Sequence, residues 1–132
     1  MERPGERAFR PGAAAIACLL GWLLPGAGHA YVGRPGRGAF FCLALLTLFG
    51  VGVSLDARLT LHLGLDDPLG LVIGAGQAAL GLPYVLARAL GGATGDVRSA
   101  TFDYGVTFTA TAGLLNVLVM LDAVDVALGR KA

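Results

Sequence analysis

The stretch Pro25-Gly26-Ala27-Gly28-His29-Ala30-Tyr31-Val32-Gly33-Arg34 separates two apolar runs and contains residues that interrupt a helix. Proline lacks a backbone N–H and glycine tolerates conformations that other residues avoid, so Pro25-Gly26 should break the preceding helix. The apolar run from Ala13 to Leu24 would cover only about 18 Å at about 1.5 Å per residue. The sequence therefore predicts either a kinked first helix that leaves the membrane near Gly33, or a re-entrant segment.

The composition of the 132 residues is typical of a membrane protein, because 55% are hydrophobic and only 14% are charged. Soluble domains carry about 25% charged residues. The charged residues leave four uncharged windows, each close to the roughly 20 residues that cross about 30 Å of hydrocarbon. These windows are 11–33, 38–55, 68–87 and 104–121. We therefore expect an all-α integral membrane bundle of about four hydrophobic helices, the first short and broken at Pro25-Gly26.

The chain divides into a tail and one membrane domain. Residues 1–12 are polar and contain three arginines and two prolines, which predicts a flexible basic N-terminal tail. Residues 13–132 should form a single helical membrane domain, because the segments between the windows are too short to bury a core. The expected helices are about 13–33, 39–55, 69–90 and 104–128. A cleaved secretory signal is an alternative for the N-terminus, since arginines, an apolar run and Gly28-His29-Ala30 follow in that order.

The predicted third helix carries a seam of small residues. Gly70, Gly74, Gln77 and Gly81 recur at spacings of three and four residues, which places them on one helix face. Lipid provides no hydrophobic force between helices, so small residues and an occasional polar side chain are what close packing requires. We therefore predict a helix-packing seam, which could also join two copies of the chain.

The predicted fourth helix holds three polar candidates, Asn116, Asp122 and Asp125. An ionisable group within a membrane span costs at least about 2.5 kcal/mol on insertion scales, so it is a candidate functional group. Both aspartates fall in the last two turns, where a structural ion pair or a carboxylate that reaches the head groups is the simpler interpretation. A proton relay is the alternative. The expected stripe of this helix is Thr107, Thr111, Leu115, Leu118, Asp122 and Asp125.

His29 in the motif turn is a further candidate. An imidazole can carry a proton or bind a metal, but no second His or Cys stands at ligand spacing, so we expect neither a metal nor a cofactor. We expect His29 to bond a backbone carbonyl that the helix break frees, and Tyr31 to anchor the turn at the interface. We expect this turn to have a structural role, with a functional role as the alternative. Its residues are Pro25, Gly26, Gly28, His29, Tyr31, Gly33 and Arg34.

The order of the windows also predicts which loops share a membrane face. If every segment after the motif turn crosses the membrane, the arginines that follow the turn share a face with loop 91–103. The two C-terminal aspartates then share the other face with loop 56–68, away from His29. The expected partners are Asp96 and Asp103 for Arg34 and Arg37, and Arg58 and His62 for Asp122 and Asp125.

The segment 23–34, followed by Gly38-Ala39-Phe40-Phe41, resembles the short helix, Gly-x-Gly-x-His-x-Tyr-x-Gly turn and second helix of the two-transmembrane-helix domain family. This resemblance covers about residues 13–55. Over its full length, including segment 112–118 and the closing Leu121-Asp122-Ala123, the chain is similar to small uncharacterised bacterial membrane proteins with a Pro-Gly-x-Gly-His-x-Tyr turn. These resemblances imply a helical fold and a location in the membrane, and they imply no activity.

Packing residues without a converging reactive set favour a structural or interaction protein, such as a scaffold or accessory subunit, over an enzyme. The alternative is a proton- or ion-handling transporter component, or a membrane enzyme, that uses His29 or Asp122 and Asp125. The expected surroundings are the lipid bilayer of the bacterial inner membrane, with a second copy or another membrane protein as partner. The net charge of +1 gives no reason to expect nucleic acid.

Overall fold

The computed structural model describes residues 11–59, 64–91 and 94–130, and this part of the chain is helical. The helices are α1 Pro11–Leu23, α2 Ala27–Tyr31, α3 Pro35–Ser54, α4 Pro68–Ala78, α5 Leu82–Ala89 and α6 Phe102–Ala127. The predicted all-α class is confirmed, but six helical pieces stand where about four helices were expected. The predicted N-terminal tail lies outside the described residues except for Pro11 and Gly12, which begin α1.

Two helices, α3 and α6, are long and apolar enough to cross a membrane. They run antiparallel, since the end of α3 packs on the start of α6: a Cβ at Gly52 would lie 2.9 Å from the carbonyl oxygen of Gly105. At the other end, Nη1 of Arg37 is 3.6 Å from Oδ2 of Asp122. We call the end with Arg37 and Asp122 the motif end, and the end with Gly52 and Gly105 the far end.

The first hairpin, α1 and α2, is broken at the predicted Pro25-Gly26. Gly26 adopts a left-handed φ of 83°, and a Cβ there would overlap the carbonyl oxygen of Gly38 in α3. Glycine is therefore required at this position both by the backbone angle and by the space. The 13 residues of α1 cover about 20 Å, which is short of a full span.

The contacts of α1 with α6 give its direction. Gly28 of α2 packs against the backbone of Ala17. A Cβ at Gly28 would lie 3.2 Å from Cβ of Ala123, near the end of α6. Four residues further along α1, a Cβ at Gly21 would lie 3.1 Å from Cγ of Met120. The first hairpin thus enters from the motif end, reaches about half the length of α6, and returns to the motif end.

The second hairpin, α4 and α5, is bent by 105° at residues 79–81, where Gly81 has a φ of 76°. Its two flanking loops lie together at the far end, because Oγ of Ser99 donates a 2.7 Å hydrogen bond to Oδ2 of Asp56. Arg58 also forms an isolated antiparallel bridge with Thr94. The single crossing helix predicted for 69–90 is therefore replaced by a hairpin that enters and leaves at one end.

The tips of the two hairpins meet near the middle of α6. A Cβ at Gly81 would lie 2.7 Å from the carbonyl carbon of Trp22, and Nε1 of Trp22 donates a 3.3 Å hydrogen bond to the carbonyl oxygen of Ala78. Asn116, which touches both tips, lies near the middle of the 26 residues of α6. The bundle therefore combines two long helices with two half-length hairpins that enter from opposite ends.

The face of α6 that packs inward differs from the predicted stripe. Its buried residues are Gly105, Thr109, Ala112, Gly113, Asn116, Val119, Ala123 and Val126. Leu115 and Leu118 of the predicted stripe are 40% and 61% exposed. A helical period identifies residues on one face without saying which face is inside, and in lipid the small residues pack inward while leucines face the acyl chains.

Candidate functional site: polar contacts along α6

Among the described residues, four polar side chains are completely buried: His29, Gln77, Thr109 and Asn116. Each belongs to a set of contacts that joins another helix to α6. Because buried polar groups need partners, most of all in lipid, these contacts are the candidates for stability and for chemistry.

At the motif end, Nε2 of His29 lies 2.8 Å from Oδ2 of Asp122. The His29 side chain is fully buried and that of Asp122 is 22% exposed, while Arg37, at 3.6 Å from the same oxygen, is 44% exposed. The ring of Phe41 covers the imidazole at 5.1 Å between centroids. The result is a histidine–carboxylate pair at the rim of the bundle with an arginine beside it.

The local sequence explains the position of His29. Gly28 allows the short helix α2 to lie directly against α1 and α6, since a Cβ there would overlap the carbonyl oxygen of Ala17. The carbonyl of His29 accepts a 2.8 Å hydrogen bond from the backbone N–H of Arg34, which closes the turn before α3. Nδ1 of His29 is buried without a hydrogen-bond partner among the described residues.

These contacts correct three expectations. His29 and Asp122 meet at one end of the bundle, although the predicted topology separated them. Nε2 of His29 bonds a carboxylate instead of a backbone carbonyl. Arg37 pairs with Asp122, and not with Asp96 or Asp103, because the second hairpin returns to the far end and keeps loop 94–101 there.

The partners expected for the two aspartates also differ. Arg58 donates from Nε and Nη2 to the carbonyl oxygens of Thr94 and Gly95, at 3.4 and 3.2 Å, so it lies at the far end. His62 lies outside the described residues. Asp125 is paired with Arg130 at 3.5 Å, an exposed contact in which little binding energy is expected.

The remaining residues of the motif turn have mainly backbone roles. Pro25 is fully buried, Gly33 has a left-handed φ of 86°, and Arg34 is the N-cap position of α3. Tyr31 is 47% exposed, in keeping with a position at an interface. The turn thus reverses the chain tightly between α2 and α3.

Near the middle of α6, the amide of Asn116 joins the two hairpin tips. Its Nδ2 donates to the carbonyl oxygen of Gly21 at 3.1 Å and to that of Ala79 at 3.0 Å. Its Oδ1 is buried without a hydrogen-bond partner among the described residues. One side chain therefore holds the C-terminal turns of α1 and α4 together.

Towards the far end, Gln77 joins α4 to α6. Its Nε2 donates to Oγ1 of Thr109 at 2.9 Å and to the carbonyl oxygen of Arg58 at 3.1 Å. Oγ1 of Thr109 donates in turn to carbonyl oxygens of its own helix, at Gly105 and Val106. This contact fixes the loop after α3 as well as α4.

The predicted packing seam is divided by the bend between α4 and α5. Gly74 is buried and Gly81 packs on Trp22, whereas the atoms nearest to a Cβ at Gly70 would be those of the Asp67 carboxylate. The closest approach of α4 to α6 instead joins Gly76 to Gly113, where a Cβ on Gly113 would overlap the carbonyl oxygen of Gly76. Sequence reasoning missed this pair, although Gly113 belongs to the small residues of α6.

Cys18 and Cys42 are free thiols of intermediate burial. Within residues 11–59, 64–91 and 94–130, no group of three or more His, Cys, Asp or Glu side chains is placed to hold a metal ion. The contacts described above provide hydrogen bonds and ion pairs along α6.

The family of unknown function DUF6677 matches residues 16–132. The chain belongs to this family. The DUF6677 match begins inside α1 and includes the rest of the first hairpin, the second hairpin, both long helices and all four buried polar side chains. No curated protein and no solved structure matches the chain. The similarity to the two-transmembrane-helix domain family stays a prediction.

Proposed function

We propose that this DUF6677 member is a small multi-pass integral membrane protein with a structural or interaction role, such as a scaffold or an accessory subunit. One observation carries this proposal. The polar contacts involve Thr109, Asn116 and Asp122, which are seven and six residues apart along α6. These spacings correspond to roughly 10 Å for each step along the axis. Groups so far apart do not act on one small substrate, and each instead joins a different part of the chain to α6.

The outer surface supports a membrane location. Large apolar side chains are strongly exposed on both long helices, with Phe40 at 67%, Leu43 at 72% and Leu118 at 61%. In water such surfaces would be unfavourable, and in a bilayer they face the acyl chains. We place the protein in the bacterial inner membrane with this surface in contact with lipid or with a partner.

The charges favour an orientation with the motif end in the cytoplasm. Arg34, Arg37 and Arg130 lie at the motif end, and the sequence adds Arg3, Arg7 and Arg10 before α1 and Lys131 after α6. The other three are Arg58, Arg88 and Arg98. An excess of Lys and Arg next to membrane segments marks the cytoplasmic side.

Site-specific photo-crosslinking in native membranes tests the interaction role. A photoreactive residue is placed singly at Phe40, Leu43, Leu114 or Leu118, which are exposed, and at buried Ala112 as the matched control. A scaffold or accessory subunit gives a discrete crosslinked product of one protein from adjacent exposed positions, and none from Ala112. Crosslinks to lipid alone from all four exposed positions, together with a monomer mass in native gels, would contradict the proposal.

Proton or ion handling is the second candidate function, and the 2.8 Å contact between His29 and Asp122 favours it. A histidine bonded to a partly exposed carboxylate can exchange protons with the interface. Purified protein in liposomes with an internal pH-sensitive dye should then pass protons, and His29→Gln or Asp122→Asn should abolish the flux. Asp125→Asn is the matched control and should retain it. Flux no greater than that of protein-free liposomes would exclude this candidate.

A further inference from the structure

We propose that the junction between the tips of the two hairpins is a binding site for a monovalent alkali cation such as Na⁺, with the side-chain amide of Asn116 as its central ligand. This site lies near the middle of α6, away from the motif-end cluster. It goes beyond the structural role proposed above and does not depend on it.

The first argument is electrostatic. The C-terminal turns of α1 and α4 come together here, because Nε1 of Trp22 donates to the carbonyl of Ala78 and both tips contact Asn116. Each helix C-terminus carries the equivalent of about half a negative charge. The N-terminus of α5 begins at the same junction, against the carbonyl of Trp22, and offsets part of this negative charge. A cation between the two C-terminal ends would offset the rest. In membrane proteins with interrupted helices, half-helix C-termini and unwound carbonyls are the groups that coordinate Na⁺.

The second argument comes from Asn116 itself. Its side chain is 0% exposed, its Nδ2 lies 3.1 and 3.0 Å from the carbonyl oxygens of Gly21 and Ala79, and its Oδ1 has no partner among the described residues. A buried acceptor without a partner is costly. A half-turn of the amide exchanges Nδ2 and Oδ1, which brings Oδ1 to face the same two carbonyl oxygens. In that rotamer, the oxygens of Asn116, Gly21 and Ala79 are the three neutral ligands that we assign to the cation.

The ligand type selects the class of cation. Oxygen ligands suit hard cations, and the set at this junction consists of amide and peptide oxygens without a carboxylate. The acidic side chain next along α6 is Asp122, six residues away and paired with His29. A divalent ion loses its water only reluctantly without carboxylates, so the geometry points to a monovalent ion. In the ion-free state, Nδ2–H donation to the two carbonyls takes the place of the cation.

The test is the thermal unfolding of purified protein in detergent, in LiCl, NaCl, KCl or choline chloride at equal ionic strength. We expect a saturable rise in Tm with one of the alkali cations over choline, by about 4 °C when the cation is at ten times its Kd. Asn116→Leu should lose this shift. Asn116→Asp keeps an oxygen and adds charge, so it should reach half of the shift at a concentration about tenfold lower.

Gln77→Leu is the matched control. It removes an equally buried amide from the α4–α6 contact, so it should lower the starting Tm and keep the full cation shift. If Asn116→Leu does not fold, the comparison of Asn116→Asp with the unmodified protein decides the matter. Equal melting of the unmodified protein in choline and in all three alkali salts would overturn the proposal. Retention of the shift in folded Asn116→Leu, or an unchanged half-saturation concentration in Asn116→Asp, would also overturn it.

Discussion

Replacing Gly113 by alanine tests the close contact between α4 and α6. A Cβ at this position would overlap the carbonyl oxygen of Gly76 and lie 2.7 Å from its carbonyl carbon, against about 3.5–4.0 Å for an unstrained carbon contact. The obstacle is backbone, which cannot rotate away as a side chain does, so α4 must move from α6 by about 1 Å. That movement also stretches the bonds of Gln77 to Thr109 and of Asn116 to Ala79.

The magnitude follows from two opposing effects. Overpacking a close contact costs about 1–3 kcal/mol, and we expect the upper end because two hydrogen bonds lengthen at the same time. Alanine gains about 1 kcal/mol over glycine in helix propensity. Gly113→Ala should therefore lower the free energy of unfolding by about 2 kcal/mol, which is more than a tenfold change in the folding equilibrium.

Gly50→Ala is the matched control, because Gly50 is also within a long helix but has nothing within 4 Å of a built Cβ. It should leave stability unchanged or raise it by up to about 1 kcal/mol. The assay is reversible unfolding of both variants in mixed micelles of increasing SDS fraction, followed by circular dichroism. If Gly113→Ala stays within about 0.5 kcal/mol of the unmodified protein, the range of ordinary surface changes, α4 and α6 do not pack as closely as described. Equal destabilisation by Gly50→Ala would show that the outer face of α3 has been misassigned.

Three further predictions concern topology, depth and capping. The first uses single cysteines in a chain whose native cysteines are replaced by alanine. Cysteines at Asp66 and Asp96 should react with a membrane-impermeant maleimide added on one side of the membrane, and a cysteine at Gly36 with maleimide added on the other side. Four full spans predict instead that the cysteines at Gly36 and Asp96 react from the same side. The emission of Trp22, the only tryptophan, should be quenched more by lipids brominated near the bilayer centre than near the head groups, and the reverse order would place the hairpin tips at an interface. Asp67→Ala should lower the free energy of unfolding in SDS by about 1 kcal/mol, because the Asp67 carboxylate accepts a hydrogen bond from the backbone N–H of Gly70 at 3.0 Å. Asp67→Asn should lower it less. Equal stability of both variants and the unmodified protein would show that this cap does not stabilise α4.

Much of the helical structure is predictable from the sequence because its signals are local. The break at Pro25-Gly26 follows from the conformations of proline and glycine, and the structure has it at residues 24–26. Gly81-Leu82-Pro83 carries similar signals, yet one helix over about 69–90 was expected there. The uncharged window 68–87 has the length of a membrane span, which favoured one continuous helix over a break at Gly81. In the structure α4 ends at Ala78 and the chain bends by 105°.

The inward face of α6 was harder to predict. Asn116, Ala112 and Gly113 are buried, whereas the period alone fitted a stripe through Leu115 and Leu118 equally well. In a soluble helix the leucines would decide the core face. In lipid both faces are apolar, so residue size and hydrogen-bonding capacity, and not hydrophobicity, mark the inside.

The meeting of His29 and Asp122 shows why distant polar contacts were missed. After each segment that crosses a membrane, the chain continues on the opposite side. One miscounted crossing therefore assigns every later residue to the wrong end of the bundle. The first hairpin was weighed as re-entrant, but the second was counted as a crossing helix. With two hairpins that each return to their own end, only α3 and α6 change the end of the bundle. The motif turn and the end of α6 therefore lie together, which brings Arg37 within 3.6 Å of Asp122. Nε2 of the buried His29 and the guanidinium of Arg37 both lie next to the carboxylate of Asp122 and offset the cost of placing it there. The charges therefore favour two crossing helices over four full spans.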